Sequence, residues 1–379
     1  MRGRPLLAAV AAGAALEGRG PLRVAVLGVG LIGGSIGLAA KERAQAHVSA
    51  YDPDASVGER ALALGAIDER AAGIAEAVQG ADVAFVASPV GTLADTVRAA
   101  LESAGPDCVV SDVGSTKRVV AAAASDERFI GGHPLAGAET SGVEHARADL
   151  FEGATWYLTP AQGSTAGVLY ERLHGLLRRL GARPTAIDPE THDRLLACVS
   201  HLPHVLANLL VAQAERTVGA GEQRSLPAVG PSLRDSTRVA GANSAVWTDI
   251  YLANRDALLA TLDEFSQRLS EARDTLRRAD ADAIADWNER ARRSREALLG
   301  AGLAGGAEHE LRVAVPNRPG VVAEIALALG GAGVNIADMA LAPSPDNSQG
   351  TVSLWIGGDE HAQLAQELIA KLGFPVIRA

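Results

Sequence analysis

The sequence predicts an α/β protein in three parts. A doubly wound parallel sheet of the Rossmann type is expected over 21–187, an all-helical segment over 188–300 and a small α+β unit over 310–379. Three observations predict this. A strand-like run leads into a glycine cluster that opens a helix, and strand–helix alternation continues after it. Beyond about residue 188 the apolar spacing turns helical and stays so to 299. Residues 301–309 lie within a Gly/Ala-rich break (GAGLAGGAEH over 300–309) that suits a linker, and a new strand pattern opens at LRVAV.

The 379 residues are 47% hydrophobic and 21% charged, which excludes a mostly disordered chain. A net charge of −10 argues against general binding to nucleic acid or to an anionic membrane, which needs a basic face. Aromatics are only 3%, too few for stacking platforms on single strands. Two Cys, at 108 and 198, exclude a disulfide framework and fit a reducing, cytoplasmic compartment. Lys occurs only at 41, 117 and 371. Residues 1–20 place two Arg before an Ala/Leu run, superficially like a secretory signal, and are read as a disordered N-terminal extension. No apolar run is expected to reach the roughly 18–20 residues that span a bilayer.

Residues 22–27 (LRVAVL) read as a buried strand. Gly28-Val-Gly30-Leu31-Ile32-Gly33 follows and opens a helix, which is the context the dinucleotide fingerprint requires. Gly28 permits the tight turn, Gly30 lets backbone approach a pyrophosphate, and Gly33 lets helix pack on strand. The helix start offers unpaired N–H donors to phosphate. A second strand, 47–51, ends at Asp52, 24 residues after Gly28 and suited to the ribose 2′-hydroxyl. An acid there repels a 2′-phosphate, so NAD is expected over NADP. Strands at 82–87, 108–111 and 129–131 with helices at 91–103 and 116–124 continue the alternation. Ligands in such sheets bind beyond the carboxyl ends of the strands. Ser88, Asp112–Lys117 and Gly132–Thr140 therefore gather at the cofactor mouth, with Ser88 a further cofactor contact.

His133 sits at one of these strand ends. Its imidazole can take the proton of an alcohol as hydride leaves the same carbon. Ser115 can orient that hydroxyl. Lys117 reads equally as a solvated first-turn residue or a substrate contact. Glu139 reads equally as a helix-start acid or a functional one. In the helical segment, Asp188-Pro-Glu-Thr-His-Asp opens a helix that Ser200-His201-Leu-Pro203-His204 is expected to interrupt. Ser200 and His204 stand one turn apart on one side. The His201/His204 pair has no third ligand at a familiar spacing, so no metal is expected. Arg234 and Arg238 are four apart and share a face if helical, and Arg forks bind carboxylates. Long amphipathic helices over 250–299 suit burial in a homodimer.

Five motifs in order, GVGLIGGSIGLA, DVGSTK, GGHPLAGAETSG, SHLPH and RDSTRVAGANSAVWTDI, resemble the prephenate/arogenate dehydrogenase family over roughly 22–300. The resemblance implies that His133 bonds the C4 hydroxyl and helps pass hydride to NAD, with Ser115 assisting. It implies Arg238 on a substrate carboxylate. Arg234, Ser200, His204, Trp247, Glu139 and Thr140 are then pocket residues. Arg234 stands where the family often has Lys.

The order βαββαβ over 311–379 suits a ferredoxin-like sandwich. Through PNRPG and GAGVNIADM it resembles an ACT regulatory domain, which implies an effector site at Asn317, Pro319, Gly320 and Asn335. An aromatic amino acid is the expected effector, and a dimerisation module without ligand is the alternative. The expected reaction is NAD-dependent oxidative decarboxylation of prephenate. Three rivals are arogenate as substrate, a non-catalytic sensor that keeps NAD binding, and a β-hydroxyacid dehydrogenase, which would want a Lys base in the helical segment, where the sequence has none.

Overall fold

The computed structural model of the chain describes residues 21–137, 140–160, 168–219, 230–301, 308–316, 318, 321–334, 336–343 and 349–378. The expected N-terminal extension, 1–20, lies outside the described residues. Contacts divide the chain into two units, Met1–Arg268 and Leu269–Ala379.

In the first unit, five parallel strands lie in the order β3-β2-β1-β4-β5. They are β1 (Arg23–Leu27), β2 (His47–Tyr51), β3 (Glu69–Arg70), β4 (Val83–Val86) and β5 (Val109–Asp112). Alternate residues feed opposite faces, as strand geometry demands. Val24, Val26, Val83 and Phe85 enter one core, while Ala25, Leu27, Ala84 and Val86 enter the other. A sheet covered on both faces is why these strands read as continuous apolar runs. Register pairs Leu27 with Tyr51 and with Val86, and Val86 with Asp112. The strands therefore end level, and the segments after them share one rim.

Gly33 explains how the first helix, Leu31–Ala44, reaches that sheet. A Cβ at Gly33 would stand 1.9 Å from the Gly28 carbonyl oxygen, and one at Gly37 would stand 2.1 Å from that of Ala66. Gly28 itself has φ +94°.

Two sequence expectations shift here. The segment 129–131 does not continue the parallel sheet. Phe129 makes an isolated parallel bridge to Val110, and the strand proper is β6 (Gly131–Pro134). It pairs antiparallel with β7 (Thr155–Thr159), which runs parallel to β8 (Arg183–Ala186), in a separate three-stranded sheet. The glycines set this path. A Cβ at Gly132 would lie 2.5 Å from the Asp112 carbonyl oxygen and 2.9 Å from Trp156 Nε1. Only bare backbone threads between the end of β5 and that buried indole. The helix expected over 116–124 is shorter, Arg118–Ala123.

Asp188 caps the next helix, Pro189–Leu196, by accepting from Thr191 N at 2.9 Å, with Pro189 in the first turn. The motif around Pro203 does not break the run. A π turn, Ala197–His201, passes directly into the helix Leu202–Gly219. Pro203 has no N–H to give, and a wider turn ahead of it accommodates the missing bond. A second correction follows from this continuity. The run Pro189–Thr217 has a mean hydropathy of 1.7 over its best 18 residues, enough by length and composition to cross a membrane. Isolated polar residues such as His204 and Asn208 end an unbroken apolar run, whereas the 18-residue mean stays high despite them. Leu209, Leu210 and Val211 on this run are exposed. Shorter elements follow at Pro231–Thr237 and Ser244–Ala253, and a long helix at Arg255–Arg277.

In the second unit, a helix at Ala281–Ala301 precedes β9 (Glu308–Pro316), a helix at Val321–Gly331, β10 (Ile336–Pro343), β11 (Gln349–Gly357), a helix at Asp359–Lys371 and β12 (Val376–Arg378). The four strands lie in the order β10-β11-β9-β12, every pair antiparallel. Leu311, Val313 and Val315 alternate into a core with Val352, Leu354 and Ile356, closed by Ile325, Leu329, Ala365 and Ile369 of the two helices.

Candidate active site

The glycine turn meets Asp52 directly. Asp52 Oδ2 accepts from Val29 N at 2.8 Å, and Oδ1 accepts from Asp54 N at 3.0 Å, which fixes the carboxylate beside the turn. The space that a Cβ would take at Gly30 holds nothing within 4 Å. Gly30 also gives the helix no side-chain cap, so the N–H groups at Leu31 and Ile32 keep their donors for a phosphate. An open cradle, an uncapped helix start and a fixed acid fit the diphosphate and ribose of a dinucleotide. Ser88, just past β4, points its hydroxyl to Thr96 Oγ1 at 3.3 Å.

Beside this cradle, Asp112 organises the next two loops. Its Oδ2 accepts from Gly114 N at 2.8 Å and its Oδ1 from Gly132 N at 3.1 Å. Lys117 Nζ pairs with Asp112 Oδ2 and donates to the Gly132 carbonyl at 2.6 Å. Lys117 is 1% exposed, so it is not a solvated first-turn residue. It joins the two motifs that carry Ser115 and His133. Ser115 is half-buried within this loop.

His133 is buried at 8% exposure in β6, opposite Tyr157 of β7. Its Nδ1 lies 2.9 Å from His192 Nε2, and His192 Nδ1 lies 2.8 Å from Asp193 Oδ1. Asp193 also accepts from Lys117 N at 2.8 Å and from Arg118 N at 3.0 Å. Burial pushes the His133 pKa well below the ordinary value of 6.5, and His192, Lys117 and His201 push it the same way. His133 is therefore neutral at neutral pH. Burial alone would raise Asp193, but the bonds from His192, Arg118 N and Lys117 N hold its pKa below the usual carboxylate value.

A second wall comes from the helical segment. His204 stacks on Trp247, ring centroids 3.6 Å apart and planes 1° from parallel. His204 Nδ1 meets the Tyr251 hydroxyl at 2.5 Å. Burial lowers the pKa of His204 and brings that of His201 to about 4. Asn254 Nδ2 bridges His201 Nδ1 at 3.1 Å and the Asp193 carbonyl at 2.7 Å. Asp249, two residues beyond Trp247, accepts from Gly91 N at 3.1 Å and ties this helix to the segment after β4. Ser200 is half-buried in the π turn. Arg234 lies in the last turn of the helix Pro231–Thr237 and Arg238 opens the following 3₁₀ turn, Arg238–Gly241. Both are exposed, and the two elements pack on Leu202–Gly219. The expected four-residue helical spacing between them is thus broken by the change of helix type.

Thr140 is exposed, while Glu139 lies outside the described residues. So do all four expected effector residues, Asn317, Pro319, Gly320 and Asn335. Sequence reasoning missed His192, Asp193, Asn254 and Tyr251. The His-Asp pair was visible only as a helix start. Its buried role depends on two segments some 60 residues apart meeting.

Two adjoining family models match the chain. The nucleotide-binding domain of prephenate dehydrogenase matches residues 36–185, and its dimerization domain matches 188–289. Prephenate dehydrogenase of Bacillus subtilis is 32% identical over 91% of this chain and 95% of its own length. That span is more than residues 1–309 alone could supply, so the likeness reaches into the second unit. Cyclohexadienyl dehydrogenase of Zymomonas mobilis is 32% identical over 73% of this chain and 95% of its own. Among solved structures, prephenate dehydrogenase of Aquifex aeolicus in complex with hydroxyphenyl propionate and NAD+ superposes with TM-score 0.68 at 27% identity, over 74% of this chain and 99% of that one. With a dinucleotide cradle beside a buried neutral histidine, and relatives alike along nearly their whole length, the chain belongs to the prephenate dehydrogenase family.

Proposed function

We propose that the protein oxidises prephenate with NAD, releasing carbon dioxide and 4-hydroxyphenylpyruvate, a step toward tyrosine. The observation that carries this reading is a buried, uncharged His133 beside the carboxyl end of the parallel sheet. Prephenate is a cyclohexadienol with a ring carboxylate and a pyruvyl side chain. Bound NAD supplies the acceptor for the hydride that leaves C4. His133 Nε2 takes the hydroxyl proton as that hydride departs, and Ser115 holds the hydroxyl in place. The C–C bond to the ring carboxylate breaks, its electron pair enters the ring, and the proton returns to the oxygen to give the phenol. Aromatisation drives the step, so the residues need only orient substrate, hold a proton and bind two carboxylates. Arg238 and Arg234 supply charge for these, and Ser200, His204, Trp247, Glu139 and Thr140 complete the pocket. Gly28, Gly30, Leu31, Ile32, Gly33, Asp52 and Ser88 receive the cofactor.

Exposed Leu209, Leu210 and Val211 lie in the segment matched by the dimerization model and support a homodimer. Within the second unit, residues 310–379 are read as an ACT domain of ferredoxin-like topology, on their βαββαβ order and their strand order. An aromatic amino acid is the proposed effector.

One assay series tests these readings. Purified protein with NAD should form NADH from prephenate, and no NADH from either prephenate or arogenate would refute the reading. A preference of tenfold or more for arogenate would move the substrate. Tyrosine should inhibit the full chain but not a variant lacking 305–379; persistent inhibition would place the effector in the active site.

A further inference from the structure

We propose that His192 and Asp193 are positioning residues that fix the tautomer of His133 and share the proton it takes. This rests on the reading of His133 as the base for prephenate.

The chain of bonds has one consistent set of hydrogens. Asp193 Oδ1 receives Lys117 N and His192 Nδ1, and Oδ2 receives Arg118 N at 3.0 Å and Arg118 Nε at 3.4 Å. A carboxylate with donors on both oxygens is an acceptor only. His192 Nδ1 must therefore carry a hydrogen, and its Nε2 carries the lone pair. The 2.9 Å contact from that lone pair to His133 Nδ1 then requires the hydrogen on His133 Nδ1. His133 Nε2 is left as the open lone pair, which is the state a base needs.

The surroundings agree. His133, His192 and Asp193 are all buried, so an imidazolium at His133 finds little water to stabilise it. Asp193 lies two hydrogen bonds away as the compensating anion. Other groups facing the pair are Lys117, already paired with Asp112, Arg118 on Asp193 itself, neutral His201, and the Tyr157 ring edge-on to His192. The relay also crosses segments. His133 belongs to β6, whereas His192 and Asp193 belong to the helix Pro189–Leu196, which is held to the sheet side through Lys117 N and Arg118 N.

Packing is the competing role, since His192 touches His133 and Tyr157 edge-to-face. Two variants separate the roles by reversing their order. His192→Gln keeps an oxygen that can accept from His133 Nδ1 but loses the ring. His192→Phe keeps the ring and loses the acceptor. With prephenate and NAD, Gln should retain about a tenth of kcat or more and Phe should lose about 10²-fold. KM values should stay within about threefold. The acid limb of kcat should move to lower pH in the Phe variant, because its imidazolium loses the partner on Nδ1. A Phe variant as active as the Gln variant, or more so, overturns the proposal.

Nitrogen-15 spectra of the histidine rings in the full-length protein give a readout independent of turnover. Protonated Nδ1 at both His133 and His192 is expected. The opposite tautomer at either ring overturns the relay. Wild-type protein that shows these tautomers but forms no NADH would refute the prephenate reading instead.

Discussion

Replacing His133 by Asn is expected to lower kcat for prephenate by about 10²–10⁴-fold, the range for removing a general base. NAD affinity should change little, because the glycine turn and Asp52 stand apart from the ring. Stopped-flow NADH formation with a separate NAD titration checks both parts; a loss under tenfold would remove His133 from the chemistry. The wild-type pH profile sharpens the expectation. His133 has a pKa well below 6.5, so its basic form persists through neutral pH. Activity falls only as the medium becomes acidic enough to protonate the buried ring. An acid limb centred at or above 6.5 would contradict a buried neutral base.

Lys117→Met is expected to cost about 3–5 kcal/mol of stability, as removing one partner of a buried ion pair does. Asp112 is wholly buried, and its carboxylate would be left without its cation. The Gly132 carbonyl, next to His133, would also lose its donor. Denaturant unfolding measures the loss. Adding Asp112→Asn should recover a large part of it, because the stranded charge disappears. A single variant within about 1 kcal/mol of wild type would show that water reaches the site and that burial is not governing the pair.

Much of this architecture was legible in the chain. The strand His47–Tyr51 and the helix ending at Ser103 follow from apolar runs and their spacing. Gly28, Gly33 and Asp52 announced the cradle because few other residue types satisfy its geometry. What stayed hidden depended on contacts distant in sequence. Lys117 read equally as a solvated residue or a substrate contact because nothing local shows that Asp112 turns back to meet it. His192 and Asp193 looked like a helix start because their partners, His133 and the backbone at Lys117 and Arg118, arrive from another segment. Glu69–Arg70 is two residues long and carries no pattern to read. Nothing in the local pattern at Gly131-Gly132 shows the change of sheet that the pair permits.

The buried histidines also set the direction in which acid acts on the folded state. His133, His201 and His204 each bind a proton less readily in the native protein than in an open chain. Above pH 6.5 both states hold these rings neutral, so unfolding exchanges no protons through them. Below it the unfolded chain takes up protons first, and native stability declines by at most about 1.4 kcal/mol per pH unit for each ring. For His201 that decline ends near pH 4, where the native ring protonates too. The same desolvation that keeps a base ready for its substrate thus makes the protein progressively less stable as its surroundings acidify.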